Sequence, residues 1–314
     1  MSGFWQNVRW RAEVLAYDLI RLLMAPFSLS QVSSLGGWLF RKIGPKTSKH
    51  HIAKTNMRLA FPDADEAQMA RWLEESWDQM GRTFAEFPLL HRIKVFEGGS
   101  HVEVVGLEIL QDLKDTHTGA VLVSGHFANW ELMAAVFSQA GLPVRVTYRP
   151  TNNPYFDKRI RQERERYGIK LMVPKSGPRG ARELITALRA GESVALLNDQ
   201  KFNEGIEVPF FGQPAMTAPG PTRLALKTGA PLIPMSIIRL GGTKFRVTIH
   251  PPLDLPKSGD HKRDIETGVR LITGFIEDQI RAHPTDWFWV HRRWPKELYK
   301  RTHHQGTNKQ GKER

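Results

Sequence analysis

Residues 121–131 read Val-Leu-Val-Ser-Gly-His-Phe-Ala-Asn-Trp-Glu. A short run of β-formers ends at Gly125, His126 follows, and a carboxylate, Glu131, comes one helical turn later. An imidazole at the mouth of a buried strand can take a proton from a hydroxyl. A nearby carboxylate can hold the ring in one tautomer and stabilise it once charged. The spacing therefore predicts a general-base dyad, His126 with Glu131. A lone histidine at a strand end beside a chance glutamate fits the same eleven residues.

The elements needed to position such a pair are legible from residue 100 onward. Candidate strands are 102–105, 120–124, 144–148, 170–173, 194–197, 232–237 and 245–249. Candidate helices cover 107–114, 128–139, 154–167, 181–190, 219–227 and 263–282. Strands alternating with helices of this length predict an α/β fold, a mostly parallel central sheet with helices on both faces. Ligands then gather at the carboxyl ends of the strands. His126, Arg149 and Asp199 all follow such ends.

Ahead of this lies a helical segment. In residues 4–24, Val8, Ala12, Leu15, Leu19, Leu22 and Leu23 line one face, with Trp10, Tyr17, Asp18 and Arg21 opposite. That is the pattern of an amphipathic helix lying in a membrane surface, and equally of a helix packed on its own domain. We expect a membrane-associating segment over 1–45, an α/β domain over 46–298 and a disordered basic tail over 299–314. No run of about 18 uncharged apolar residues is present to span a bilayer. Charges interrupt the early apolar stretch, which argues against a secretory signal.

The 314 residues include no cysteine, which excludes disulfides, thiolate metal sites and a cysteine acyl-enzyme. The formal net charge of +13 favours anionic partners: nucleic acid, anionic membrane, phosphorylated substrates or an acidic carrier protein. Zinc-finger spacing and RNA-binding signatures are missing, so no nucleic-acid partner is expected. The histidines outside the motif lack partners at ligand spacing, and no metal is expected.

Four further segments stand out: Tyr148–Pro154 with the arginine-rich helix after it; Leu197–Gln200; Val208–Ala215 with Thr217 and Gly220; and Trp287–Trp294. With His126-x4-Glu131, in this order, they resemble the bacterial lipid A biosynthesis acyltransferases, over about 15–296. The resemblance implies a glycerolipid-acyltransferase-like fold at the cytoplasmic face of the inner membrane, peripheral or monotopic. It implies acyl transfer from acyl carrier protein to a hydroxyl of a Kdo2-lipid IVA type precursor, with no cofactor beyond that co-substrate. Relatives acting on lysophosphatidate or phosphatidylinositol mannosides keep another acceptor open, and a non-catalytic lipid-binding protein at the membrane surface is the remaining alternative.

Within this frame Arg149 and Arg164 are candidates to grip phosphate or carboxylate, with surface pairing as the plain alternative for each. Asp199 is expected to orient one of those arginines, to meet a sugar hydroxyl, or to cap a turn. Phe210 and Phe211 are candidates for an acyl-chain wall or for core packing. Thr217 is read as the start of an anion-binding helix or a simple cap. Arg292 and Arg293 are expected to bind phosphates or to lock the C-terminal segment by stacking on aromatics.

Overall fold

A computed structural model describes residues 2–169, 172–174 and 177–300. The chain begins with helices α1 (Ser2–Met24), α2 (Leu29–Ile43), α3 (Ser48–Ala60) and α4 (Glu66–Glu86). Then come β1 (Val102–Val105), α5 (Leu107–Asp115), β2 (Val121–Ser124), α6 (Glu131–Gln139), β3 (Val144–Tyr148), α7 (Pro154–Arg166), β4 (Met172–Pro174), α8 (Gly177–Arg189) and β5 (Ser193–Leu197). A hairpin, β6 (Lys201–Phe210) and β7 (Gln213–Thr217), precedes α9 (Gly220–Thr228), β8 (Leu232–Gly241), β9 (Lys244–Ile249) and α10 (His261–Ala282).

Seven strands form one sheet in the order β1-β9-β8-β2-β5-β3-β4, parallel throughout except for the β8–β9 pair. Strand β2 is central and buried along its whole length. Its all-apolar run Val-Leu-Val is what a strand covered on both faces requires. The register sets Ser124 of β2 opposite Leu197 of β5. Two residues beyond each lie His126 and Asp199, so neighbouring strands deliver both side chains to the same end of the sheet.

The α/β core thus follows the expected pattern, with two departures. Helix α6 starts at Glu131, because residues 126–130 run as an irregular loop in which Ala128 takes φ 40°. Residues 201–217 form the β6–β7 hairpin. Gly205 and Pro209 obscure strand alternation there, which is why the sequence pattern suggests a loop. The expected strand over 170–173 is seen as Met172–Pro174; residues 170 and 171 lie outside the described ones.

The N-terminal helices are closely built onto the rest. A β-carbon on Gly36 of α2 would meet the Gly81 carbonyl oxygen of α4 at 2.5 Å, so glycine at this crossing permits the close approach. Helix α1 turns its polar side inward. Asn153, which caps α7 by accepting from the amides of Tyr155 and Phe156, also donates to the Trp10 carbonyl and to Glu13. Arg159 pairs with Asp18 and Arg21 with Glu163. Phe4, Trp5, Val8, Leu15, Leu19, Leu22 and Leu23 are left exposed. Among the described residues, no helix is long and apolar enough to cross a membrane. At the other end, Tyr299 is buried and donates to Asn56, so packed chain continues past the expected boundary at 299. Residues 301–314 of the expected tail lie outside the described ones.

Candidate active site

The imidazole of His126 is held by Asp199, not by Glu131. Nδ1 lies 2.7 Å from Asp199 Oδ1, and the His126 amide donates to Oδ2 at 2.9 Å. The Trp287 indole N–H donates to Oδ2 at 2.7 Å. Asp199 is 2% exposed. Burial alone would raise its pKa, but the charge and hydrogen bonds of His126, with the Trp287 bond, hold the carboxyl well below the usual range. An ionised Asp199 accepts from Nδ1–H, which leaves the Nε2 lone pair to receive a proton. Among the described residues, Nε2 has Gln200 Nε2 as a polar neighbour at 3.4 Å, too long for a strong hydrogen bond. Trp130 and Phe288 flank the ring with centroids 5.1 and 6.0 Å away, which gives it an apolar surround.

Glu131 forms a second cluster. Both its oxygens are taken by Arg164, at 3.0 Å from Nε and 2.7 Å from Nη2, and Tyr167 donates at 2.8 Å. Burial would raise this carboxyl too; the Arg164 charge and the hydrogen bonds more than offset it, and the pKa is lowered. The expected bond from Glu131 to His126 is therefore not made. Helix α6 begins at Glu131, so the carboxylate leaves at the helix start and meets Arg164 of α7.

Behind the loop lies a third buried group. Glu86 pairs with Arg239 at 2.6 Å and accepts from Ser33 at 2.6 Å and Asn129 at 2.8 Å. Thr83 donates to the Ala128 carbonyl, and the Ala128 amide donates to the Asp286 carbonyl. These contacts hold Ala128 in its positive-φ conformation.

The sequence matches the family model "Bacterial lipid A biosynthesis acyltransferase" over residues 9–296. The chain belongs to this family. It is similar to the lipid A biosynthesis acyltransferase of Haemophilus influenzae, with 26% identity covering 90% of this chain and 86% of that one. The lipid A biosynthesis lauroyltransferase of Escherichia coli is 28% identical over 77% of this chain and 78% of its own. The phosphatidylinositol mannoside acyltransferase of Mycobacterium tuberculosis is 29% identical over 71% and 69%. Among solved structures, the 1-acyl-sn-glycerophosphate acyltransferase PlsC of Thermotoga maritima matches with a TM-score of 0.37 and 17% identity, covering 81% of this chain and 98% of that one.

In this acyltransferase the remaining expected residues divide sharply. Arg149 is exposed where β3 ends, on the same sheet edge as His126. Arg164 is not an open anion grip, because its guanidinium is engaged by Glu131. Asp199 orients neither arginine; it is the imidazole's partner. Phe210 and Phe211 are 1% and 7% exposed and pack on Trp287, Trp294 and Phe61. They belong to the core. Phe211 and Gly212, with φ 50° and 72°, make the two-residue β6–β7 turn. Thr217 ends β7 rather than starting a helix, and its hydroxyl accepts from Arg293 Nη2 at 2.6 Å. Arg293 also donates to the Met216 carbonyl and lies over the Phe210 ring, 4.7 Å from its centroid. Burial pushes its pKa down to about 10, so it remains charged at neutral pH as an internal lock. Arg292 is exposed, over the Tyr299 ring.

Sequence reasoning did not find Trp130 and Phe288 as neighbours of the imidazole, Trp287 as a partner of Asp199, or Glu86. The signal for Trp287 was present in the aromatic segment 287–294. Glu86 sits in α4 with no local mark of its role. Next to Trp130 and Phe288, the seam lined also by Leu73, Trp77 and Met80 holds only about 20 Å³, little more than one water.

Proposed function

We propose that this acyltransferase moves a fatty acyl chain from acyl carrier protein to a hydroxyl of a Kdo2-lipid IVA type precursor, at the cytoplasmic face of the inner membrane. His126 Nε2 removes the hydroxyl proton as that oxygen attacks the thioester carbonyl. The tetrahedral intermediate collapses, the C–S bond breaks, and the thiolate leaves with the proton from Nε2. Asp199 fixes the tautomer and offsets the imidazolium charge. The N-terminal end of α6, next to the imidazole, favours the negative charge that develops on the carbonyl oxygen. Transfer is direct, since no cysteine is present to carry an acyl group and no serine sits in a Gly-x-Ser-x-Gly elbow.

The observation that carries this reading is the His126–Asp199 bond at the carboxyl edge of the sheet, with Nε2 left to act as a base. The lipid A relatives and the net charge of +13 support an anionic glycolipid acceptor. Arg149 and Arg292, both exposed, are the expected residues still able to meet its phosphates, and the exposed apolar stripe of α1 supports a membrane surface as partner. Mass spectrometry of lipid A from cells with and without the protein tests the acceptor, and one missing acyl chain is expected in the deletion. With purified components, His126→Ala should lose on the order of 10²–10⁴ in rate. Near wild-type turnover in that variant would overturn the mechanism. The mannoside acyltransferase relative at 29% identity favours a second acceptor. Unchanged lipid A together with acylation of a phosphatidylinositol mannoside would select it.

A further inference from the structure

The segment that supplies Trp287 and Phe288 to the dyad continues into a second site. Phe288 donates its amide to the His126 carbonyl, and three residues later His291 and Arg292 line a cleft of about 710 Å³. Its facing wall is the start of α3, with Thr47, Ser48, Lys49, His50, His51 and Lys54. Asn56 of α3 ties the two walls by donating to the carbonyls of Trp289 and His291.

Every ionisable group lining this cleft is basic: Lys49, His50, His51, Lys54, His291 and Arg292. Among the described residues no carboxylate lines it, and because burial lowers the pKa of His50 and His291 its positive charge is carried chiefly by the lysines and Arg292. Lys54 is tethered at 3.5 Å to Glu66, but Lys49 and Arg292 are exposed and make no ion pair among the described residues. The Trp77 indole donates to Nδ1 of His50, so the His50 proton is on Nε2, a fixed hydrogen-bond donor. His291 Nδ1 is buried and has no hydrogen-bond partner among the described residues. The first turn of α3 adds the positive end of a 13-residue helix.

We propose that this cleft binds a phosphate of the membrane-lipid acceptor and so holds the acceptor's sugar hydroxyl within reach of His126. Charge complementarity requires an anion. Position favours a lipid headgroup over a soluble partner: Pro45 lines the cleft two residues past Ile43, and Leu35, Trp38, Leu39 and Ile43 of α2 are exposed apolar residues. Three residues of chain reach at most about 10 Å, which bounds the separation of His291 from Phe288 beside the imidazole.

This inference rests on the proposed anionic glycolipid acceptor, and the experiment separates the two. The full-length protein is assayed for transfer to a bisphosphorylated glucosamine-disaccharide lipid and to the same lipid after phosphatase treatment. Lys49→Glu and Arg292→Glu are compared with Lys262→Glu, which makes the same charge change on exposed α10. In parallel, inorganic pyrophosphate is titrated into each protein by calorimetry. Lys49→Glu should raise KM for the phosphorylated lipid roughly tenfold or more, as loss of a charge-assisted contact does. KM for the stripped lipid should change far less, and pyrophosphate binding should weaken in Lys49→Glu and Arg292→Glu but not in Lys262→Glu. Equal KM changes for both lipids, or pyrophosphate binding that responds alike in all three variants, would overturn the cleft. If wild-type protein acylates neither lipid but loses pyrophosphate in Lys49→Glu, the acceptor reading falls and the anion site stands. Because Arg292 stacks on Tyr299, its variant is checked for folding by thermal melting, and Lys49→Glu decides alone if it is unstable.

Discussion

Two carboxylates lie near His126, and they are held in different ways. Asp199 comes from the sheet: its strand pairs residue for residue with the strand that carries the histidine, and Trp287 closes its remaining oxygen. Glu131 comes from the start of α6 and is held from outside the sheet by Arg164 and Tyr167, at the end of α7. Helix α7 in turn is fastened to the polar side of α1. The inner carboxylate shares the rigidity of the core. The outer one hangs on a stack of helices whose far side is an exposed apolar stripe. Proximity along the chain therefore does not decide which carboxylate holds the imidazole; strand register does.

The sharpest way to break this contrast is to neutralise each carboxylate without changing its shape. Asp199→Asn should lower kcat by about 10⁴, because an amide facing Nδ1 allows the wrong tautomer. Glu131→Gln should cost less in kcat and more in stability. Steady-state kinetics on purified, folded variants checks this. If Glu131→Gln loses as much kcat as Asp199→Asn at unchanged stability, Glu131 takes part in the chemistry and the inner–outer division fails.

The next largest effect concerns the outer pair itself. Arg164 and Glu131 have side chains 17% and 11% exposed, so removing one partner strands a mostly buried charge. Arg164→Ala should destabilise by about 3–5 kcal/mol near neutral pH. In the wild type the Glu131 pKa is depressed, so its contribution is present above the unfolded carboxylate range and is lost as the pH falls. In Arg164→Ala, burial acts without the guanidinium and raises that pKa. The variant's carboxyl then destabilises as pH rises. The stability gap between the two proteins should widen from acid to neutral pH in urea titrations. A gap independent of pH would show that the loss is one of packing.

Much of this architecture is legible in the chain. The strand ends at Ser124 and Leu197 are visible as apolar runs stopping at polar residues and the one at Tyr148 as the end of an alternating strand, and they place His126, Arg149 and Asp199 on one edge. What pattern alone does not supply is strand order. Asp199 becomes the partner of His126 only because β5 is the neighbour of β2, a choice made by tertiary packing. The same limit applies to Arg293 and Phe210. A charged residue beside tryptophans reads equally as a ligand contact or as a lock, and only burial distinguishes them. The β6–β7 hairpin escaped because its turn uses Phe211, a bulky residue at positive φ, where glycine or asparagine is the usual signal. Glu86 escaped because a buried carboxylate in a helix is recognised through its partners, and those lie 33 to 239 along the chain.

A smaller effect sharpens the outer side of the contrast. Leu15 is 70% exposed on the outer face of α1. If that face rests on a bilayer, burying one leucine is worth about 1.5–3 kcal/mol of attachment. Leu15→Asp should shift protein from the vesicle pellet to the supernatant in sedimentation, while Ile20→Asp, on a different side of the helix, should shift it less. Equal shifts would mean that general hydrophobicity matters and the stripe does not.

The smallest effect is expected at the joint between α1 and α7, where Asn153 does two things at once. Its Oδ1 caps α7 by accepting from Tyr155 and Phe156, and its Nδ2 donates to Trp10 and Glu13 of α1. Asn153→Ala removes both and should cost about 1 kcal/mol for the cap with a further loss for the tie. Asn153→Asp separates them. A carboxylate caps as well as an amide does, but it cannot donate to α1 and it opposes the charge of Glu13. Helix α7 should then stay intact while α1 loosens, which amide exchange measured along both helices would resolve. If faster exchange in Asn153→Asp is confined to α1 and does not reach Arg164 and Tyr167, the outer carboxylate is held by α7 alone. Exchange spreading through α7 to residues 164–167 would instead make α1 a support of the Glu131 cluster, and detachment of α1 would be felt beside the active site.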